Sequence, residues 1–214
     1  MKNTLLASVL ALISMASYSV QANPDINYLS GGYQLSLFDE YIPTDINETN
    51  NYLSGYYARA SWGFTDNVFL EMRRDHTAKN RLSNTHDVMG LGYLYPIHSD
   101  VSLYALAGFN QISLEFSASS NDTNLLPSSS EAYIGVRDHA FTAELGAKIN
   151  LLSEWQIEPA VRMATFDNNL YELRLGNTFS LTESLKLEAN IAHRSIDQIN
   201  LTETNSQLGL RYAF

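Results

Sequence analysis

Apolar and polar residues alternate along most of the chain, and short polar stretches separate the alternating segments. In the last segment, Thr204–Phe214, one face carries Leu208, Leu210, Tyr212 and Phe214, whereas the residues between them are mostly small or polar. Successive side chains of a β-strand point to opposite faces, so this period of two predicts a strand. Because the same alternation recurs without a helix-length break, we expect an all-β fold.

Ten segments of this kind can be placed. The predicted strands cover 28–38, 52–64, 68–76, 86–95 and 101–116, then a sixth ending at Ile149, and four that begin at Trp155, Tyr171, Leu185 and Thr204. Long and short polar links alternate over the first half, which puts both termini on one side of the sheet. We therefore expect a single closed antiparallel transmembrane β-barrel of ten strands, with eight as the fallback, because an even, closed barrel leaves no free edge.

The positions of the charged residues indicate whether the outside of this barrel faces lipid or water. The charges fall on the face opposite the large apolar residues. A Lys or Arg at the bilayer midplane costs about 2–4 kcal/mol, so the segregation predicts a lipid-facing apolar belt around a charged lumen. A soluble barrel would have the reverse pattern. The charges assigned to the lumen are Arg59, Glu71, Arg73, Glu115, Glu144, Lys148, Glu158, Arg162, Glu172, Arg174, Lys186, Glu188, Arg194 and Arg211.

The fifth strand is ambiguous, because both of its faces carry polar residues. Its even-numbered face includes Tyr104, Leu106 and the amide of Asn110, whereas its odd-numbered face ends with the carboxylate of Glu115. Burying one amide in lipid costs less than burying a charge. We therefore predict that the even-numbered face points outward, or that a bulge intervenes.

The first 22 residues have the features of a secretory signal peptide. Lys2 precedes the largely apolar run Leu5–Ala16, and a small-x-small ending predicts cleavage between Ala22 and Asn23. Past this segment no apolar stretch reaches about 18 residues, so no transmembrane helix is predicted. We expect residues 23–214 to form one barrel domain in an exported protein.

Composition excludes several classes of function. The chain has no cysteine, so it has no disulfide, thiolate metal site or cysteine nucleophile. Its formal net charge of −10 argues against nucleic acid as a partner, because phosphate binding needs a basic face. We predict no metal and no cofactor.

Three Asp/His neighbours are candidates for chemistry near the extracellular strand ends: Asp75-His76, His86-Asp87 and Asp138-His139. Their parity places Asp75, His86 and Asp138 inward at one mouth, where they could bind a metal or activate water, as in outer-membrane proteases of the omptin type. Adjacent residues of a strand point to opposite faces, so no dipeptide forms a dyad by itself. The Asp-x-Asp and Asp-x-His pairs of those proteases are absent, and we interpret these residues as polar rim.

A second candidate is His193 with Ser195, which resembles the H-x-S-N motif of lipid A deacylases. Ile196 replaces the motif's Asn, and Glu203 has the wrong parity to join the pair on the outward face. A catalytic triad needs convergent geometry. We therefore assign no catalytic residue, and a surface hydrolase is the less favoured alternative.

Turn and strand motifs occur in Tyr57–Glu71 and Gly90–Gly108, and strand-turn-strand repeats occur in Glu144–Phe214. In these regions the chain resembles small Gram-negative outer-membrane β-barrel proteins of the porin superfamily. The resemblance implies insertion by the barrel assembly machinery, with Tyr212 and Phe214 as the assembly signal. It implies no active site.

The predicted function follows from the size and charge of the lumen. Open aqueous channels belong to barrels of 16–18 strands, and paired Arg and Glu side chains would fill a ten-stranded one. We expect a non-enzymatic, monomeric protein of the outer membrane, in contact with lipid and lipopolysaccharide, with a structural or surface-interaction role. A narrow porin-like channel for small solutes or ions is the alternative. The long loop Ser117–Glu131 is built mainly from Ser, Asn, Asp and Thr, and we assign no role to it.

Overall fold

The computed structural model describes residues 26–45, 48–118, 132–167, 169–196 and 201–214. The predicted signal peptide and its cleavage site at Ala22 and Asn23 lie outside this range, as does most of the loop Ser117–Glu131. In the described part of the chain, no helix is long and apolar enough to cross a bilayer.

Ten antiparallel strands form one closed barrel, in which each strand pairs with its neighbours in sequence and the first pairs with the last. The prediction of a closed ten-stranded barrel is confirmed. The strands are β1 (Tyr28–Asp45), β2 (Glu48–Gly63), β3 (Val68–Lys79), β4 (Leu82–His98), β5 (Val101–Ala118), β6 (Ala132–Asn150), β7 (Trp155–Ala164), β8 (Leu170–Ser180), β9 (Leu185–Ile196) and β10 (Leu201–Ala213).

One end of the barrel carries both described chain ends and short polar turns. In two of these turns a threonine hydroxyl caps the reversal: Thr65 accepts a hydrogen bond from the Val68 amide (3.0 Å), and Thr182 accepts one from the Leu185 amide (3.0 Å). Outer-membrane barrels have short turns on the periplasmic side, so we assign this end to the periplasm. The opposite end is called the mouth below.

At the mouth, the hairpin between β3 and β4 reverses through Asn80, whose φ of 53° lies in the left-handed region. Asparagine tolerates that conformation better than most residues. The side chain of Asn80 also donates a hydrogen bond to Glu48 (2.9 Å). This contact ties the hairpin to the start of β2.

Exposure alternates along the strands as an apolar exterior requires. In β8, for example, Tyr171 and Leu173 are exposed, whereas Glu172 and Arg174 are buried. The same alternation places Leu208, Leu210 and Tyr212 of β10 outside and Arg211 inside. The large exposed side chains are thus mostly aliphatic or aromatic, as a lipid-facing belt demands.

The prediction for the fifth strand was wrong, because the even-numbered face of β5 points inward. Tyr104 and Leu106 are 4% and 2% exposed, whereas Leu103 and Phe109 are 45% and 57% exposed. The cause is an apolar layer that fills the lumen towards the periplasm. Its buried members are Ile26, Phe69, Leu94, Tyr104, Leu106 and Ala160.

Inward glycines of neighbouring strands provide the room for this layer. A Cβ atom at Gly92 would lie 2.2 Å from the Phe69 ring, and one at Gly146 would lie 2.5 Å from the Tyr104 ring. The reversed face also moves Glu115 to the exterior, where its carboxylate lies 3.8 Å from the Arg137 guanidinium. The prediction that Glu115 lies in the lumen was therefore wrong.

Candidate functional site: an ionic plug beneath a mouth cavity

Charged side chains fill the middle of the lumen. Among the described residues, seven bases and seven acids are buried: Arg59, Arg73, Lys148, Arg162, Arg174, Arg194 and Arg211, with Glu71, Asp75, Glu144, Glu158, Glu172, Glu188 and Glu203. We call this set the ionic plug. Apart from Glu115, the sequence analysis assigned thirteen charges to the lumen. Twelve of them belong to the ionic plug. The thirteenth, Lys186, is the second residue of β9 and is half-buried.

Part of the plug is a row of alternating charge on five consecutive strands. In the register of β6 to β10, Glu144 faces Arg162, Arg162 faces Glu172, Glu172 faces Arg194, and Arg194 faces Glu203. Glu172 Oε2 lies 2.5 Å from both Arg162 Nη2 and Arg194 Nε. Each charge in the row therefore has an opposite charge on the adjacent strand.

Other ion pairs cross the lumen. Arg73 on β3 donates two hydrogen bonds to the Glu144 carboxylate on β6, from Nη1 (2.6 Å) and Nη2 (2.8 Å). Arg194 on β9 donates to Asp75 on β3. Two-point contact between a guanidinium and a carboxylate is both strong and geometrically specific. These pairs connect opposite walls of the barrel.

Glu144 is the most connected group of the plug. Arg174 Nη2 lies 2.8 Å from Glu144 Oε1 and 3.1 Å from Glu158 Oε1. The Tyr104 hydroxyl also donates to Glu144 Oε1 (2.8 Å). With the two bonds from Arg73, this carboxylate of 1% exposure accepts four hydrogen bonds. A buried carboxylate is stable only with such compensation.

A second cluster forms around Glu188. Its carboxylate accepts hydrogen bonds from Arg211 Nε (2.6 Å) and Asn190 Nδ2 (2.7 Å) and lies 3.5 Å from Arg59 Nη1. Arg59 Nη2 also donates to Gln207 (2.7 Å). The cluster joins β2 to β9 and β10, so that the plug contacts both sides of the seam between β1 and β10.

Between the plug and the mouth lies a cavity of about 400 Å³, which we call the mouth cavity. Its walls are mostly apolar and its floor is polar. The lining residues are Phe38, Ile42, Pro43, Leu53, Leu82, Asn84, His86, Ile112, Leu114, Val136, Asp138, Phe166, Leu170, Arg194 and Glu203. A partly apolar cavity with a few polar groups at its base is the usual form of a small-molecule site.

Three polar atoms of the residues that line this cavity have no hydrogen-bond partner among the described residues: His86 Nε2, Asn84 Oδ1 and Glu203 Oε1. His86 is 4% exposed and Glu203 is 9% exposed. An unpaired buried polar atom is costly, and proteins keep few of them. Each of these atoms has less than 1 Å² of accessible surface, so a molecule in the cavity would reach it only after rotation of a side chain.

The Asp/His candidates are placed as their parity predicted, but they do not form one site. Asp75 and His86 are cross-strand partners and both are buried. Asp75 is occupied by Arg194 and by Gln207 Nε2 (3.0 Å), so it belongs to the ionic plug. His86 and Asp138 line the mouth cavity, whereas Asp75 does not. In the described part of the chain, no group of three His, Asp or Glu side chains could hold a metal ion.

The residues of the deacylase-like pattern lie on opposite faces. His193 is outside, where its Nδ1 lies 3.1 Å from the Thr204 hydroxyl, whereas Glu203 is buried in the lumen beside Arg194. Ser195 shares the outer side with His193. The structure therefore does not bring these three residues together.

Tyr212 and Phe214, the predicted assembly signal, are part of an aromatic group at the periplasmic end. The Phe214 ring lies 5.8 Å from the Trp62 ring and 6.4 Å from the Tyr212 ring, between centroids. Phe214 also donates its amide to the Asn27 carbonyl (3.2 Å). The chain end is thus fixed against the start of β1.

The apolar wall of the mouth cavity was missed from the sequence. Phe38, Leu53 and Leu82 are buried and in mutual contact, and each occupies an inward position near the mouth end of its strand. The signal that could have revealed this wall is the polarity of the inward positions, which changes from polar in the middle of the barrel to apolar towards the mouth.

Comparisons with known proteins agree with this architecture. The family model described as "Outer membrane protein beta-barrel domain" matches residues 5–214. None of the curated proteins matches the chain in sequence. Similar solved structures include Ail, the attachment invasion locus protein of Yersinia pestis, at 13% identity over 87% of this chain and 97% of that chain, with a TM-score of 0.42.

Two further structures extend the comparison. The outer membrane protease OmpT from Escherichia coli has 10% identity over 92% of this chain and 99% of that chain, with a TM-score of 0.50. The KdgM porin in complex with disordered oligogalacturonate has 11% identity over 86% and 99%, with a TM-score of 0.41. At these identities the likeness concerns the fold alone.

Proposed function

The chain belongs to the outer membrane protein beta-barrel domain family, and from this premise we propose that it is a closed, non-catalytic barrel that does not conduct ions. Membership implies a location in the outer membrane and agrees with the resemblance in the sequence. The proposed role is structural or one of surface interaction.

The observation that carries this proposal is the ionic plug. Its pairs run between neighbouring strands and across the lumen, as from Arg73 to Glu144 and from Arg194 to Asp75. Seven buried bases balance seven buried acids, so the plug presents no excess charge of either sign to a passing ion. Ten strands also enclose little more space than the eight-stranded barrels that side chains fill.

Planar-bilayer recording of the purified barrel tests this function. We expect the wild type to give no discrete conductance steps. A variant with alanine at Arg73, Glu144, Glu158 and Arg174 removes two charges of each sign from the middle of the plug, and we expect it to conduct. The matched control replaces the exterior pair Glu115 and Arg137 by alanine and should give no discrete conductance steps. Discrete steps in the wild type would refute the closed barrel.

One observation favours a narrow, hydrated channel as the second candidate. Several buried polar atoms on lumen-facing residues have no partner in the described part of the chain, among them Arg162 Nε, Arg174 Nε and both polar side-chain atoms of Asn110. Such atoms usually bind ordered water. A connected file of water would admit small ions. Small, ion-selective steps in the same recordings would support this candidate.

Export and assembly complete the proposal. We infer that a signal peptide ending at Ala22 directs export and that the mature chain starts at Asn23, which N-terminal sequencing of the purified protein tests directly. The barrel assembly machinery would insert the chain as a monomer, in contact with lipid and lipopolysaccharide. Absence of catalysis is part of the same proposal, supported by the separation of His193 from Glu203.

A further inference from the structure

We propose that the mouth cavity binds a small apolar molecule that carries a primary ammonium group. Apolar cavities of about 150 Å³ accept benzene, so a cavity of about 400 Å³ has room for a body of two fused rings. Phe38, Leu53 and Leu82 form one apolar side of this space, and Ile112 and Leu170 line another.

Acceptor atoms dominate the unpaired polar groups of the cavity. Glu203 Oε1 and Asn84 Oδ1 are both acceptors, and His86 Nε2 accepts in one of its two neutral tautomers. An ammonium group is a three-proton donor with no acceptor, so it suits a lining that offers acceptors. Each of the three unpaired atoms has less than 1 Å² of accessible surface, so it gains this partner only through rotation of a side chain. A carboxylate or phosphate would leave all the acceptors unpaired.

The charges around the cavity select the same head group. Glu203 and Asp138 contribute carboxylates to the lining. Arg194 is the positively charged residue in the lining, and its guanidinium already contacts Glu172, Asp75 and Glu203. The lining therefore carries two carboxylates against one guanidinium, and Asp138 is the carboxylate without an ion partner among the described residues.

Calorimetric titration of the full barrel in lipid nanodiscs tests the proposal, with empty nanodiscs of the same lipid as the reference for partitioning. The probes are 2-naphthylmethylamine and 2-naphthylacetate, which share the two-ring body and differ in the charge of the head. We expect saturable binding of one amine per barrel and at least about tenfold weaker binding of the acid.

Two variants separate the head group from the body. Glu203→Gln removes the carboxylate, leaves Arg194 paired with Asp75 and Glu172, and should weaken amine binding about tenfold. Its matched control is Glu115→Gln, which removes a carboxylate from the outer surface and should leave binding unchanged. Leu114→Trp narrows the cavity and should abolish saturable binding, whereas Val161→Trp on the outer surface should not.

Each outcome decides the proposal. Equal affinity for the amine and the acid would overturn the assignment of the head group, as would equal effects of Glu203→Gln and Glu115→Gln. No saturable heat beyond that of empty nanodiscs would overturn the site itself. Migration of folded barrel on unheated gels checks that every variant is folded. The titration reads occupancy directly, so its result is independent of whether the barrel conducts.

Discussion

Replacement of Glu144 by Gln is the sharpest test of the ionic plug. The substitution keeps the shape of the side chain but removes the charge that Arg73 and Arg174 share. Among the described residues, Arg73 then keeps only Glu71 and Arg174 keeps only Glu158 as ion partners, and the plug changes from seven acids to six against seven bases.

Two estimates of the cost agree. Removing one partner of a buried ion pair destabilises a protein by about 3–5 kcal/mol. A hydrogen bond to a charged group contributes about 1.5–3 kcal/mol, and two arginines each lose such a partner here. We expect Glu144→Gln to lower the free energy of unfolding by about 3–5 kcal/mol.

The assay is urea unfolding of the barrel in lipid vesicles, followed by the fluorescence of the two tryptophans, Trp62 and Trp155, where unfolding and refolding curves coincide. The control is Glu115→Gln, whose exposed pair with Arg137 is worth about 0.2–1 kcal/mol. In the double variant Arg73→Gln with Glu144→Gln the charges balance again, so its cost should fall short of the sum of the single costs by about 1 kcal/mol or more. If Glu144→Gln and Glu115→Gln cost the same, the plug does not stabilise the barrel.

Three further predictions concern the lumen packing, the outer surface and the chain end. Gly92→Ala should lower the free energy of unfolding by about 1–3 kcal/mol in the same assay, because the added Cβ would meet the Phe69 ring, whereas Gly135→Ala, whose Cβ has 3.4 Å to its nearest neighbour, should be neutral. Leu175→Arg in the middle of β8 should cost about 2–4 kcal/mol, because the side chain faces lipid; a smaller loss than at an exposed loop position would contradict the membrane belt. Deletion of Phe214 should reduce the amount of folded barrel in the outer membrane, measured as heat-modifiable protein on gels, and an unchanged amount would exclude it from the assembly signal.

The sequence was sufficient for the strands, their closure and most of their faces, because each of these depends on local alternation. It failed at β5, where the argument assumed a polar lumen throughout. Tyr104 and Leu106 point inward because Gly90, Gly92 and Gly146 on the adjacent strands leave space for an apolar layer. Cross-strand register, which decides such fits, is not encoded in the pattern of a single strand.

The plug could be predicted as a set of residues but not as a set of pairs. Parity along β3 and β6 assigns Arg73 and Glu144 to the lumen, yet only the curvature of the closed barrel brings these two side chains together across it. The partner of Asp75 is likewise on β9, far along the chain. The lining of the mouth cavity comes from eight of the ten strands, so the pattern within any single strand does not predict it.

The distribution of ion pairs between the two halves of the chain has a consequence for assembly. Several charges in the second half, such as Arg162 and Glu172, meet their counter-ions on the next strand, so these pairs can form within one hairpin. Among the described residues, Arg59 and Asp75 in the first half have their ion partners on β9, so these pairs form only when the first and last parts of the barrel meet. In a barrel that has not closed, Arg59 and Asp75 therefore lack these ion partners in a low-dielectric interior, and closure supplies both partners. Ion pairs that a partial barrel cannot form therefore stabilise the closed barrel.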